Sequence, residues 1–297
     1  MAGDPYWNET VLLLHCDGTN GSTTFTDQKG HAVTAFGNAQ ISTAQSVFGG
    51  ASAQFDGTGD YLSIPDSADW DFGTGDFCLE GAVRLSAVTG SLKMIVSQKL
   101  NGVAVYVSAS AKLAFAQDNV VEKIVGTTTL VAGTWYRFKI NRAGGVTRLF
   151  LDGEQEGGDI SDGASYSSTN PLVIGAGEDG SAVHLNGNID ELRITKGVAR
   201  GVVDYTLDAA PFPDAITKLS GVTKDATGAL ASKLVRAYRQ DTGALVSQVV
   251  STAGTGAFSL DAGGNVPYYI TEHDTTSLTM AGSETANAAI LDNLIPV

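Results

Sequence analysis

A chain of 297 residues with 36 glycines and only 17% charged residues is long enough for two domains and poorly suited to a helical bundle. Its formal net charge of −14 repels phosphate backbones, which argues against nucleic-acid binding through a basic patch. Its apolar runs are too short to cross a bilayer as helices, so membrane insertion is not expected.

Strand signals recur roughly every 8–15 residues, punctuated by Gly, Asn and Asp. In chain order the clear ones are residues 10–15, 32–36, 51–55, 61–64, 77–85, 93–98, 104–108, 113–116 and 123–126. A central pair follows, 135–142 and 147–151, joined through Gly144-Gly145, which suits a tight hairpin. Residues 172–175 and 188–195 close this half. Alternation in 77–85 and from Tyr136 onward predicts strands with one buried and one wet face, as in two antiparallel sheets packed together. Ile189, Leu192 and Ile194 are spaced by three and then two, which predicts a bulge or a switch of face near Asp190. Residues 204–209 have at most one turn of helix in them.

At Pro211-Phe212-Pro213-Asp214 the texture changes, because two prolines one residue apart hold the chain extended. Short strand signals then resume at 217–223, 233–238, 245–251, 256–260, 266–272 and 288–296. The reading is all-β: an antiparallel jelly-roll sandwich over residues 1–214, then a small β-sandwich over 215–297.

The first half resembles the laminin-G-like, concanavalin A-like jelly-roll family, in the version found in bacteriophage tail and virion proteins. The stretches that carry the resemblance are VLLLHCDG at 11–18, FGGASAQFDGTGDYL at 48–62 and DFGTGDF at 71–77. Trp135-Tyr136, LFLDG at 149–153 and GNIDELRITKGVAR at 187–200 complete it. The second half is similar to the carboxypeptidase-regulatory-like, or transthyretin-like, small sandwich, through LSGVTKDATG at 219–228 and GTGAFSL at 254–260.

The resemblance implies one calcium ion at a sandwich edge, with Asp17 and Asp190 in the matching places and Asp60 as a third candidate. Each also has a plain reading: Asp17 and Asp60 beside glycines as turn formers, Asp190 as a strand-end residue. The four histidines are scattered without zinc-ligand spacing, and His15 reads as a packed or hydrogen-bonded residue. Cys16 and Cys78 read as buried free thiols, with a disulfide between neighbouring strands left open.

Catalytic patterns are missing. The Glu-x-Asp-x-x-Glu strand usual for retaining glycosidases of this fold does not occur, and Asp152-Gly153-Glu154-Gln155-Glu156 falls in an expected hairpin turn. Neither a Gly-x-Ser-x-Gly elbow nor a phosphate-binding glycine loop is present, so no enzyme is expected. Carbohydrate binding needs aromatic platforms with amide or carboxylate partners. Trp7, Tyr61, Trp70, Tyr106 and Tyr166 are the candidate platforms, with Asn101, Asn119 or Asn186 on loops as partners, although Trp70 and Trp135 read more naturally as core anchors.

The resemblance implies a virion structural protein, a tail or fibre component assembled as a homo-oligomer with other virion proteins. Its exposed module would contact bacterial surface glycans. The alternative is a capsid or tail decoration subunit acting only through protein–protein contacts. The N-terminal residues carry no basic-then-apolar signal, so synthesis in the host cytoplasm and location on the virion are expected. The apolar segment 287–297 is expected to be a last strand or an edge that docks on a partner.

Overall fold

The computed structural model describes residues 4–88, 90–118, 121–214, 217–223, 232–239, 245–262 and 268–274. The chain divides into two compact units, Glu9–Phe212 and Met1–Asn8 with Pro213–Val297.

The larger unit begins with β1 (Thr10–Leu14), β2 (Thr34–Phe36), β3 (Gln40–Ser42), β4 (Ser52–Asp56) and β5 (Tyr61–Ile64). It continues with β6 (Phe77–Leu85), β7 (Lys93–Gln98), β8 (Val103–Val107), β9 (Leu113–Gln117) and β10 (Val121–Val125). Next come β11 (Trp135–Ala143), β12 (Val146–Leu151), β13 (Glu154–Ser161), β14 (Leu172–Ile174) and β15 (Asn186–Lys196). Eight strands form one antiparallel sheet in the order β13-β12-β11-β6-β15-β4-β3, with β1 also paired to β15. Seven form the other, in the order β10-β9-β8-β7-β14-β5-β2.

Side-chain alternation builds the core between them. From the first sheet, Leu79, Val83, Phe138, Ile140, Leu192 and Ile194 point inward. They meet Leu62, Ile64, Val103, Val105, Phe115 and Ile174 of the second. Full burial of side chains of this size stabilises by about 1.5–3 kcal/mol each. The β11–β12 hairpin turns through Gly144 (φ 57°) and Gly145 (φ 74°), the conformation a two-residue turn between right-twisted strands requires. Asp152 (φ 49°) and Gly153 (φ 92°) do the same between β12 and β13.

Two expectations fail for stated reasons. Residues 154–156, expected in a turn, open β13: the turn is complete in two residues, and Leu151 pairs directly with Glu154. The outer faces of β6 and β11 are dry, because residues 197–212 cross them as an extended strap. The strap makes no helical turn at 204–209. Its carbonyls accept from Lys139 Nζ (Arg200, 3.1 Å), Arg137 Nη1 (Asp208, 2.6 Å) and Asn141 Nδ2 (Gly201). Its amides at Tyr205 and Phe212 donate to the Gly153 carbonyl at 2.9 Å and to Glu191 Oε2 at 2.7 Å.

Under the strap lies a buried ion cluster. Glu80 Oε1 accepts from Arg193 Nε and Nη2 at 3.0 and 2.8 Å, and Arg200 Nε lies 3.5 Å away. Lys139 Nζ is 3.7 Å from Glu80 Oε2 and 3.4 Å from the centre of the Tyr205 ring. Burial works against the Glu80 charge, but Arg193, Lys139 and Arg200 outweigh it and hold the carboxyl below its ordinary range. Cys78, on the same face, and Cys16 are both buried free thiols, and burial raises the pKa of each.

In the smaller unit, β16 (Thr217–Val222) pairs with β19 (Ala257–Ala262). A three-stranded sheet joins β18 (Leu245–Val250), β17 (Lys233–Arg239) and β20 (Tyr268–Asp274) in that order. Phe258 of the first sheet packs with Val235 and Ala237 of the second, forming a small sandwich core. The sequence motif at 225–228 and the segments 287–297 and 288–296 lie outside the described residues.

Candidate functional site

The predicted bulge is present. The register of β15 against β6 shifts between Asp190 and Arg193, and Glu191 takes φ 52°. The shift turns Asp190 towards the loop that precedes β4. Its Oδ2 accepts the amides of Val47 and Phe48 at 2.6 and 3.2 Å, while its buried Oδ1 has no hydrogen-bond partner.

Asp17 reaches the same loop from the end of β1. The chain leaves β1 through Cys16 in the left-handed region (φ 59°), and Asp17 lays its carboxylate against Gly49. A Cβ on Gly49 would lie 1.9 Å from Asp17 Oδ1, and Gly49 itself has φ +60°, so only glycine fits. Asp17 and Asp190 thus converge on residues 47–49.

The electrostatics of the pair are unfavourable. Burial pushes the Asp190 carboxyl up to about 7; the Val47 and Phe48 amides oppose the rise, and Glu191 and Asp17 add to it. Asp17 is raised by burial and by Glu191, with His15 pulling the other way. Glu191 is itself committed: Oε1 lies 2.7 Å from His15 Nδ1, and Oε2 accepts the Phe212 amide.

A buried carboxylate oxygen without a donor, next to a second carboxylate, lacks a positive partner. A hard divalent cation supplies one, and calcium takes six to eight oxygens from carboxylates, main-chain carbonyls and water. Asp17 and Asp190 fit as its two carboxylates. Among the described residues, no group of three or more His, Cys, Asp or Glu side chains is placed to hold a metal.

Asp60 sits elsewhere. It is buried, and its Oδ1 and Oδ2 accept the amides of Asn38 and Asp56 at 2.7 and 2.8 Å. The structure therefore brings Asp17 and Asp190 to one loop and holds Asp60 on a different pair of turns.

The aromatic candidates are corrected in part. Trp70 and Tyr166 are both 0% exposed and cannot meet a ligand. Trp70 donates its Nε1 to the Pro65 carbonyl at 3.1 Å, and the Tyr166 hydroxyl donates to Asp162 at 2.6 Å, which is why core positions accept them. Trp135 is half-buried at the start of β11 rather than a core anchor. Tyr106 lies nearly flush in a second cluster with Met94, Ala104 and Ala114, its hydroxyl 2.5 Å from Glu122 Oε2.

Trp7 is half-buried in the smaller unit, Asn101 is exposed, and Asn186 is half-buried against Gly57. Asn119 lies outside the described residues. Tyr61 is half-buried and stacks on Phe36 with ring centres 4.5 Å apart and planes 5° from parallel. Phe36 carries the exposed ring of that stack, and the sequence reading gives it no part beyond ending a strand. Its signal was the Phe-Gly-Asn run closing a short strand.

Residues 56–200 match the family model Laminin_G_3, the Concanavalin A-like lectin/glucanases superfamily. No curated protein sequence matches the chain. Among solved structures, the binding domain of Paraclostridial Mosquitocidal Protein 1 aligns with 83% of this chain at 12% identity and a TM-score of 0.51. Trypanosoma rangeli sialidase aligns with 64% of the chain at 15% identity and a TM-score of 0.46. Domain 4 of AbnA, a GH43 extracellular arabinanase from Geobacillus stearothermophilus solved with arabinotriose, gives the same values. The chain spans 64% of the toxin domain, 31% of the sialidase and 94% of the arabinanase domain, and the likeness to the toxin domain is one of fold alone. With its two antiparallel sheets and the family match over residues 56–200, the larger unit has the concanavalin A-like sandwich fold.

Proposed function

We propose that this domain is a non-enzymatic glycan-binding module supported by one calcium ion, carried on a virus particle as an adhesion component. The observation that carries the proposal is the idle buried Oδ1 of Asp190 beside the Asp17 carboxylate. Asp17 and Asp190 would hold the ion, and its charge would relieve their repulsion. That would lock residues 47–49 between the ends of β1 and β15.

The residues that resemble glycosidase carboxylates have structural partners instead. Glu156 is held by the hydroxyls of Thr127 and Thr128, and Asp152 accepts the Arg137 amide at 2.8 Å. This supports binding over catalysis. The virion setting and the homo-oligomer rest on the phage-like motifs between residues 11 and 200.

The test uses the full chain. Thermal unfolding is followed with calcium, with magnesium and with chelator, alongside binding to an array of bacterial surface polysaccharides. At a calcium concentration about 100-fold above the dissociation constant, stabilisation of about 2.7 kcal/mol is expected. Asp17→Asn and Asp190→Asn should abolish it. Saturable polysaccharide binding supports the adhesion reading. A folded chain that binds purified particles stoichiometrically and no polysaccharide overturns that reading in favour of a decoration subunit.

A further inference from the structure

At one edge of the sandwich the chain crosses between the sheets twice, at residues 37–39 between β2 and β3 and at 57–60 between β4 and β5. Asp60 ties the two crossings together. Its Oδ1 accepts the Asn38 amide at 2.7 Å and its Oδ2 accepts the Asp56 amide at 2.8 Å. Gly37, at φ +67°, permits this approach, since a Cβ there would lie 2.4 Å from Asp60 Oδ1. The side chains that follow are exposed and joined: Asn38 Nδ2 donates to Asp56 Oδ2 at 2.9 Å. Thr58 N donates to Asp56 Oδ1 at 2.7 Å. Each Asp56 oxygen keeps a second lone pair.

Two residues before Asn38, at the end of edge strand β2, stands Phe36, 41% exposed. It lies parallel on Tyr61, and Gly180 packs against the Tyr61 ring, where a Cβ would fall 2.3 Å from Cζ. A single exposed apolar side chain is ordinary. This one is a flat ring backed by a second ring, two residues along the chain from an amide that is bonded to a carboxylate, the backbones of both held by a buried aspartate.

Sugars are recognised by that combination. The C–H face of a pyranose lies on an aromatic ring, and its hydroxyls bond to amide and carboxylate groups. The exposed Asp56 carboxylate accepts from hydroxyls and repels a second carboxylate, and the net charge of −14 acts the same way. We infer that Phe36, Asn38 and Asp56 form a contact subsite for a neutral pyranoside bearing vicinal hydroxyls, with Asp60 and Gly37 as positioning residues. The inference rests on the glycan-binding reading of the domain and names the place and ligand class. The subsite is separate from the Asp17–Asp190 pair.

The full chain and its variants are compared on an array of neutral and acidic bacterial polysaccharides, with calcium-linked thermal stabilisation measured in parallel. Phe36→Ala should weaken binding about 10-fold or more, the loss of a stacked ring being worth roughly 1.4 kcal/mol. Phe36→Trp should retain binding. Asn38→Ala and Asp56→Asn, both at exposed positions, should weaken binding without changing the calcium-linked stabilisation. Val131→Ala, which removes an equally exposed apolar group elsewhere, should leave binding unchanged. If the wild type binds polysaccharide and the three corner variants bind equally well, the subsite is overturned and the glycan-binding reading stands. If the wild type binds only acidic polysaccharides, the neutral assignment is overturned. If the wild type binds none of the array, the glycan-binding reading fails and the subsite with it.

Discussion

Glu80 and Asp190 are both buried carboxylates in the same sheet, and their surroundings push them in opposite directions. Glu80 faces three cations, so the folded state keeps it ionised at pH values where the unfolded chain is already protonated. The unfolded state then binds more protons, and this contribution to stability is lost as pH falls from about 4.5, the ordinary Glu value, through the lower folded pKa. Glu80→Gln should cost about 3–5 kcal/mol at pH 7, because it leaves buried cations without their anion. The gap to the wild type should narrow in acid, as read from urea midpoints at pH 7 and at pH 3.5. Asp190 has the opposite sign. Its folded carboxyl stays protonated up to about 7, so in chelator the wild type should lose stability as pH rises from the ordinary Asp range to that value, then level off. Asp190→Asn removes this loss. In chelator at pH 8 it should melt above the wild type, while showing no response to calcium. A variant that melts below the wild type under those conditions would remove the electrostatic argument for a cation.

The strap is the element that makes Glu80 possible. Residues 197–212 supply carbonyls to Lys139, Asn141 and Arg137, and Tyr205 and Phe212 lie over Lys139 and Arg193. It rests on the β12–β13 turn so closely that a Cβ on Gly153 would fall 2.2 Å from the Tyr205 carbonyl oxygen. Gly153, at φ +92°, should therefore tolerate alanine poorly. Gly153→Ala is expected to cost about 1–3 kcal/mol and to make the 197–212 segment more sensitive to limited proteolysis. Most strands were legible in the sequence to within a residue or two, including 61–64, 77–85 and 93–98, because alternating apolar residues and glycine-rich turns are local signals. β3 and β13 were not. Gln40–Ser42 is only three residues long, and Glu154–Ser161 is mostly exposed and carries two glycines, so neither shows the apolar alternation of a half-buried strand. The strap has no local signal at all. Its fixed path comes from partners far away in sequence.

At the scale of the whole chain, the two units meet the solvent problem differently. The larger buries one continuous core between its sheets and a polar network outside them; in the smaller, the core among the described residues is Phe258, Val235 and Ala237, with Val249 packed against it. A chain of residues 9–212 is expected to unfold in one cooperative transition. A chain of residues 9–196, without the strap, should melt at least about 10 °C lower, as calorimetry would show. The sequence by itself determined the all-β class, the break in texture at the prolines, most strands and an irregularity near Asp190. These follow from local periodicity and turn chemistry. Asp17 and Asp190 were paired only through the family resemblance, and that they reach one loop is tertiary. Only the tertiary structure decided that Tyr166 is sealed inside, Trp135 half-buried and Phe36 exposed, since strand alternation does not say which edge is left uncovered. It alone decided that Asp60 serves two backbone amides at the sheet crossings rather than joining Asp17 and Asp190. It alone buried Glu80, because the covering strap lies more than a hundred residues further along the chain.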